Sequence, residues 1–284
     1  VLARGLRSQQ THTVGFISDD IATTPHASKI IQGAQDEAWK HNKLILLVNT
    51  GNNQEMKQAA VNTMLDRQVD GLIYATMYHR EVHPPEMLRK VPTVLLDCFA
   101  GSGDFPSVVP DEVLGGRTAT EYLLRKGHRR IGHIRNIDPI PATFGRLDGY
   151  REALAAAHID FDPGLVVSGE SVASGGYEGA LQLLSAPNPP TAIFCFNDRM
   201  AMGAYDAARK LGFRIPEDIA IVGFDNQELI ADALHPGLTT LALPHYEMGK
   251  WAVQQLMQMI INDEFRERTQ QKVMPCPFIE RDSA

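Results

Sequence analysis

The chain has 284 residues, 44% of them hydrophobic, with 27 Lys+Arg against 34 Asp+Glu and a formal net charge of -7. At about 100–200 residues per domain this length holds two globular units, and a charged fraction of 21% excludes disorder as the main state. The acidic balance excludes a protein that coats nucleic acid over its whole surface.

The three cysteines, Cys98, Cys195 and Cys276, are odd in number and form no CxxC pair, so neither a zinc knuckle nor a disulfide framework is expected. A reducing, cytoplasmic setting is the simpler reading. Apolar runs such as LILLV at 44–48 fall far short of the roughly 18–20 residues that a membrane span needs. The N-terminus lacks the basic-then-apolar secretory pattern. Because it starts at Val1 rather than Met, the sequence is expected to be part of a longer chain.

In chain order, TVGFIS (13–18) predicts a strand and 27–41 a helix. LILLV (44–48) follows, then a helix over 54–67 capped by Asn52 or Asn53, with Val61, Met64 and Leu65 on one face. GLIYA (71–75) and TVLLD (93–97) close the first group. Their near-continuous apolar character suits parallel strands covered on both faces. The pattern then restarts with a helix over 112–125 that stops at Gly127. RIGHI (130–134), a helix over 146–157, LVV (165–167) and a helix over 175–184 come next. TAIFCF (191–196), a helix over 198–211 ended by Gly212, and IAIVGF (219–224) complete the second group. The alternation predicts an α/β fold of two open parallel-sheet domains. LTTLAL (238–243) adds a strand, a helix follows Pro244, and VMPCPF (273–278) makes a final strand. Met248, Trp251, Ala252, Leu256 and Met259 fall at helical spacing on that helix and read as core rather than as a cofactor site.

Catalytic signatures are missing. GESVA (169–173) has Ala173 in place of the second glycine of a nucleophile elbow, with no strand running straight into a helix. No GxGxxG, P-loop or HExxH occurs, and Gly101 and Gly103 lack the helix that would complete a phosphate cradle. His128 and His133 are five apart across a helix end and a strand, so each is expected to be structural or on the surface. Asp19 and Asp20 would point to opposite sides at a strand end, which does not suit paired acid/base work. No catalytic residue, metal site or cofactor is expected, and the protein is not read as an enzyme.

What remains is polar groups at the C-terminal ends of strands, where open α/β sheets bind ligands. Asp19 and Asp97 close strands, Asn197 and Asp198 follow TAIFCF, Asp225 follows IAIVGF, and Arg146 opens a helix. Carboxylate, amide and guanidinium groups satisfy hydroxyls in pairs, because each hydroxyl both donates and accepts. Phe194, Phe196 or Tyr78 could offer an apolar platform for the C–H face of a sugar. Taken singly, Asn197, Asp198 and Asp225 read equally well as cap or turn residues.

Seven stretches carry a family resemblance: ARGLRSQQTHTVGFI (3–17), DRQVDGLIY (66–74), LLRKGHRRIGHI (123–134), GRLDGYREAL (145–154), PPTAIFCFNDRMAMGA (189–204), LGFRIPEDIAIVGFDN (211–226) and PGLTTLALPHYEMG (236–249). Together they span most of the chain, and it resembles the lactose-repressor/galactose-repressor (LacI/GalR) transcription regulators. The resemblance implies two periplasmic-binding-protein-like subdomains joined by three crossings, with a small carbohydrate effector in the cleft, a homodimer, and allosteric control of operator DNA binding by an N-terminal headpiece. The subdomains would be 13–110 plus 245–271 and 111–244 plus 272–284. By the same resemblance, Asp97, Arg146, Asn197 and Asp225 are the effector-binding residues, with Asp19, Phe194, Phe196 and Asp198 as weaker assignments. Residues 1–12 match the family's hinge, in which Leu6 is the minor-groove wedge flanked by Arg4 and Arg7. ATTPHAS (22–28) departs from the commoner NPFF pattern, so the identity of the sugar does not carry over. Two alternatives stay open at this point: an importer's solute-binding protein of the same fold, and a sugar-processing enzyme using Asp97 or Asp225 as a base. Replacing Arg146 or Asp225 by Ala is expected to abolish ligand binding and leave folding near normal.

Overall fold

A computed structural model describes residues 11–24, 27–51, 53–265 and 269–284. The hinge residues Arg4, Leu6 and Arg7, and the alternative cap Asn52, lie outside the described residues. The chain divides into two compact units, 1–110 with 244–274 and 111–243 with 275–284, so it passes between them three times.

In the first unit the strands are β1 (Thr13–Ser18), β2 (Leu44–Asn49), β3 (Gly71–Glu81), β4 (Thr93–Phe99), β5 (Ser107–Pro110) and β11 (Gln271–Met274). They form one parallel sheet in the order β11-β5-β4-β3-β1-β2. Neighbouring residues point to opposite faces, as a strand requires. Phe16, Ile73 and Leu96 therefore enter one core with Ile30, Met248 and Leu256, while Ile17, Leu72 and Leu95 enter another with Val61 and Met64. Fully burying such a side chain stabilises the fold by roughly 1.5–3 kcal/mol. Helix α1 (Ser28–Lys40) lies on the first face and α2 (Gln54–Asp66) on the second, with the Asn53 side chain capping α2 by accepting from the Met56 N–H at 3.0 Å.

In the second unit the parallel order is β7 (Val166–Gly169), β6 (Ile131–Asn136), β8 (Ala192–Cys195) and β9 (Ala220–Val222). Helices α3 (Glu112–Arg125) and α4 (Pro141–Ala156) cover one face. Helices α5 (Ala173–Leu184) and α6 (Asp198–Lys210) cover the other, and a short helix α7 (Glu228–Ala231) follows β9. Strand β10 (Thr240–Leu241) pairs antiparallel with β12 (Phe278–Ile279), and its flanking residues Thr239 and Ala242 bridge in parallel to Val222 and Asp225. Helix α8 (His245–Ile261) belongs to the first unit, where Met248, Ala252, Leu256 and Met259 are buried as core.

Four sequence expectations need correction. VMPCPF (273–278) is not one strand. Residues 271–274 pair with β5, so the crossing falls after Met274 rather than before residue 272, and only Phe278–Ile279 pairs in the second unit. Helix α4 starts at Pro141, five residues before Arg146, because a proline at the first helical position has no N–H to leave unbonded. Arg146 thus sits in the second turn. Strand β5, hidden in the short SVVP segment, was not expected. GESVA does link β7 to α5 across three residues, but the Ser171 carbonyl accepts a bond from Asn197.

Candidate functional site

The second unit gathers its polar strand-end residues around one guanidinium. Arg146 is 3% exposed, and its guanidinium carbon lies 3.6 Å from the centre of the Phe224 ring and 4.4 Å from that of Phe196. Its Nε donates to Glu112 Oε2 at 2.8 Å, its Nη1 donates to the Phe196 carbonyl, and Nη1 lies 3.6 Å from Asp225 Oδ1. Burial opposes the charge on this guanidinium, but Glu112 and Asp225 outweigh it and hold its pKa above the usual arginine value. Nη2 makes no hydrogen bond among the described residues, which leaves donors for a ligand.

Glycines make this placement possible. A Cβ on Gly145 would fall 2.6 Å from the Glu112 Cβ, one on Gly116 2.2 Å from the Arg146 carbonyl oxygen, and one on Gly149 2.1 Å from the Val113 carbonyl oxygen. Helices α3 and α4 therefore cross nearly backbone to backbone, which brings the first residue of α3 against the second turn of α4. Asp111 caps α3 by accepting from the Leu114 N–H, fixing the turn that carries Glu112.

Asp225 has φ +104, a conformation that non-glycine residues rarely hold and that clusters at binding sites. Its N–H donates to the Leu241 carbonyl at 2.7 Å, and Gln227 Nε2 donates to its Oδ2 at 3.2 Å. Asn197 caps α6: its Oδ1 accepts from the Met200 N–H at 2.8 Å, and its Nδ2 donates to the Ser171 carbonyl at 3.1 Å.

Two of the weaker assignments are fully buried and have internal partners. Phe194 is 0% exposed, its ring stacked on His133 at 4.7 Å within the α3–α4 core. Side-chain alternation along β8 points it into the face covered by α3 and α4, while Ile193 and Cys195 point to the other. Asp198 is also 0% exposed and braces the loop from inside, accepting from the Thr240 hydroxyl and the Gln227 N–H, each at 2.6 Å. Burial, then the charge of Asp225, push its pKa well above the usual carboxylate range. Phe196 keeps a place at the site, as a wall for Arg146. His133 is structural: Nδ1 donates to the Phe194 carbonyl at 3.0 Å, and burial lowers its pKa to about 4.

The first unit carries its own strand-end set. Asp19 Oδ1 accepts from the Asp20 N–H at 2.7 Å, and Oδ2 pairs with Arg80 Nη2 at 2.6 Å. Burial raises the Asp19 pKa, and the Asp20 N–H and Arg80 offset this in part. The Arg80 guanidinium carbon stands 5.0 Å over the ring of Tyr78, which is itself exposed. Asp97 is buried with φ +56, and its carbonyl accepts from the Thr76 hydroxyl at 2.9 Å.

Glu112, Phe224 and Arg80 escaped the sequence reading. Glu112 looked like an ordinary acid in a helix first turn, Phe224 like strand core, and Arg80 stood beyond the predicted end of its strand. Adjacency to Asp225 was the one usable signal, for Phe224. Among the described residues, no group of three or more His, Cys, Asp or Glu side chains could hold a metal ion, and no helix is long and apolar enough to cross a membrane.

Residues 120–284 match the family of periplasmic binding protein-like domains. The chain is 35% identical to the ribose operon repressor of Escherichia coli over 290 residues, covering 100% of this chain and 85% of that protein. The structure of a LacI-family transcriptional regulator from Rhizobium etli is similar at a TM-score of 0.89 and 35% identity, covering 97% of this chain and 99% of that one. A LacI-family regulator from Enterococcus faecium with bound ribose is similar at a TM-score of 0.76 and 28% identity, covering 96% and 98%. These relatives are transcription regulators, not enzymes or importer components. The chain belongs to the lactose-repressor/galactose-repressor (LacI/GalR) family of transcription regulators and carries its periplasmic-binding-protein-like core.

Proposed function

We propose that this chain is the effector-binding and dimerising core of a cytoplasmic, sugar-responsive repressor. Its effector is a small carbohydrate, held in the second unit by Arg146, Asp225 and Asn197; in the first unit Asp19 and Asp97 are the candidate effector residues. The observation that carries this reading is the Arg146 guanidinium, whose carbon lies 4.4 Å from the Phe196 ring centre and 3.6 Å from that of Phe224, beside Asp225 at a strand end. A planar donor next to a carboxylate acceptor suits a vicinal diol, and aromatic walls suit the C–H face of a sugar ring. The ribose named with the Enterococcus faecium structure gives a first ligand to try. Effector binding alters the affinity of the dimer for operator DNA, and DNA reciprocally alters affinity for the effector.

The test is calorimetric titration with a panel of mono- and disaccharides, followed by operator binding of the full-length protein with and without the sugar that binds. A bound sugar that changes operator affinity supports the reading. Sugar binding with unchanged operator affinity overturns the allosteric part, and wild-type titration by Arg146→Ala and Asp225→Ala shows the pocket to be elsewhere.

A further inference from the structure

The cation at the centre of the second unit's site is already matched by more than one anion. Glu112 and Asp225 both face Arg146, at 2.8 and 3.6 Å, and all three side chains are less than a tenth exposed. The carboxyl of Asp198 feels the charge of Asp225 and adds no positive charge. The other guanidinium near this group, Arg281, is engaged by Asp232 Oδ1 at 2.5 Å, by Asn226 Oδ1 at 2.9 Å and by the Leu238 carbonyl at 2.8 Å.

Helix N-termini are the usual alternative seat for an anion, because their N–H groups point outward and the dipole is positive there. The two that carry residues of this cluster hold carboxylates of their own: Asp111 and Glu112 at α3, and Asp198 in the first turn of α6. Helix α4, which carries Arg146, starts with Pro141 and so lacks an N–H at its first position.

We propose that Glu112 is a specificity-determining residue: by compensating Arg146 a second time, beside Asp225, it makes this site select an uncharged polyhydroxy effector and reject the phosphorylated or carboxylated form of the same sugar. The proposal rests on the carbohydrate reading above and narrows it. A neutral hydroxyl can donate to Asp225 and accept from the unused Nη2 of Arg146, with no ion desolvated on the ligand side. A phosphate in the same place meets two carboxylates for one guanidinium, and like charges at such distances in a buried setting repel strongly. Glu112 does this by accepting from Nε, so it acts through Arg146 and positions it.

The experiment titrates the whole protein by calorimetry with matched pairs: ribose and ribose 5-phosphate, glucose and glucose 6-phosphate, fructose and fructose 6-phosphate. The wild type is expected to bind the neutral member of at least one pair, with the phosphate at least tenfold weaker. In Glu112→Gln, which keeps a group of the same size against Arg146, that ratio is expected to narrow at least tenfold. A phosphate bound as tightly as its neutral partner by the wild type overturns the proposal and leaves the carbohydrate reading standing, and this arm does not depend on the variant folding. An unchanged ratio in a folded Glu112→Gln protein also overturns it. No response to either member of any pair overturns the carbohydrate reading, and this inference with it.

Discussion

Arg146 and Glu112, 34 residues apart in sequence, form a 2.8 Å ion pair whose side chains are only 4% and 5% exposed. Removing one partner leaves an uncompensated charge in the interior, which typically costs about 3–5 kcal/mol. Arg146→Ala should therefore lower stability by that order as well as abolish ligand binding, contrary to the expectation from sequence that folding would stay near normal. The double variant Arg146→Ala/Glu112→Ala should be clearly more stable than the sum of the two single losses predicts. Urea unfolding of the four proteins checks this, and simple additivity would refute the pairing.

Asp225 separates recognition from stability more cleanly. Asp225→Asn keeps a side chain that tolerates positive φ and keeps an oxygen for Gln227. Sugar affinity should fall at least tenfold, about 1.4 kcal/mol, with the unfolding midpoint changed little. Calorimetric titration alongside urea unfolding measures both.

The α3–α4 crossing should be intolerant of a methyl group. In Gly149→Ala the new Cβ would lie 2.1 Å from the Val113 carbonyl oxygen, against backbone that cannot swing aside. A loss of about 3 kcal/mol is expected, at the upper end for overpacking. Gly212→Ala serves as the control: nothing lies within 4 Å of its Cβ, so only its φ of +83 is at stake, costing about 1–2 kcal/mol. Thermal unfolding that ranks the two the other way would show the crossing to be looser than described.

His133 gives a pH dependence with a definite sign. Its folded pKa, about 4, lies below the unfolded value near 6.5 because burial disfavours the imidazolium. The unfolded chain therefore binds the extra proton first. The stability contributed by neutral His133 is complete above about pH 6.5 and is lost as pH falls toward 4, by roughly 3 kcal/mol in all. Other groups titrate in the same range, so the measurement is the difference between wild type and His133→Phe. The variant should lose unfolding midpoint less steeply between pH 6.5 and 4.

The element pattern was legible in the sequence because it rests on local physics. Period-two and period-3.6 apolar patterns, the Asn53 cap and the Gly127 and Gly212 stops each act within a few residues. The places of Arg146, Asn197 and Asp225 near strand ends followed from the same pattern together with the family motifs. Short elements escaped it. SVVP at 107–110 and the split of 273–278 depend on which strand lies alongside, and residue order does not say that 271–274 pairs with β5.

By itself, the sequence determined the α/β class, the core stripe on α8 and the family, since these need only local periodicity and contiguous motifs. Tertiary structure alone decided which polar residues are available. It buried Phe194 and Asp198, whose neighbours are His133, Thr240 and Gln227 far along the chain. It also brought Glu112 onto Arg146, because three glycines let two helices cross closely enough for their side chains to meet. The net charge of -7 excluded a nucleic-acid-coating surface. Only folding showed where part of that negative charge is put: two carboxylates around one buried guanidinium, a local balance that no sum over composition contains.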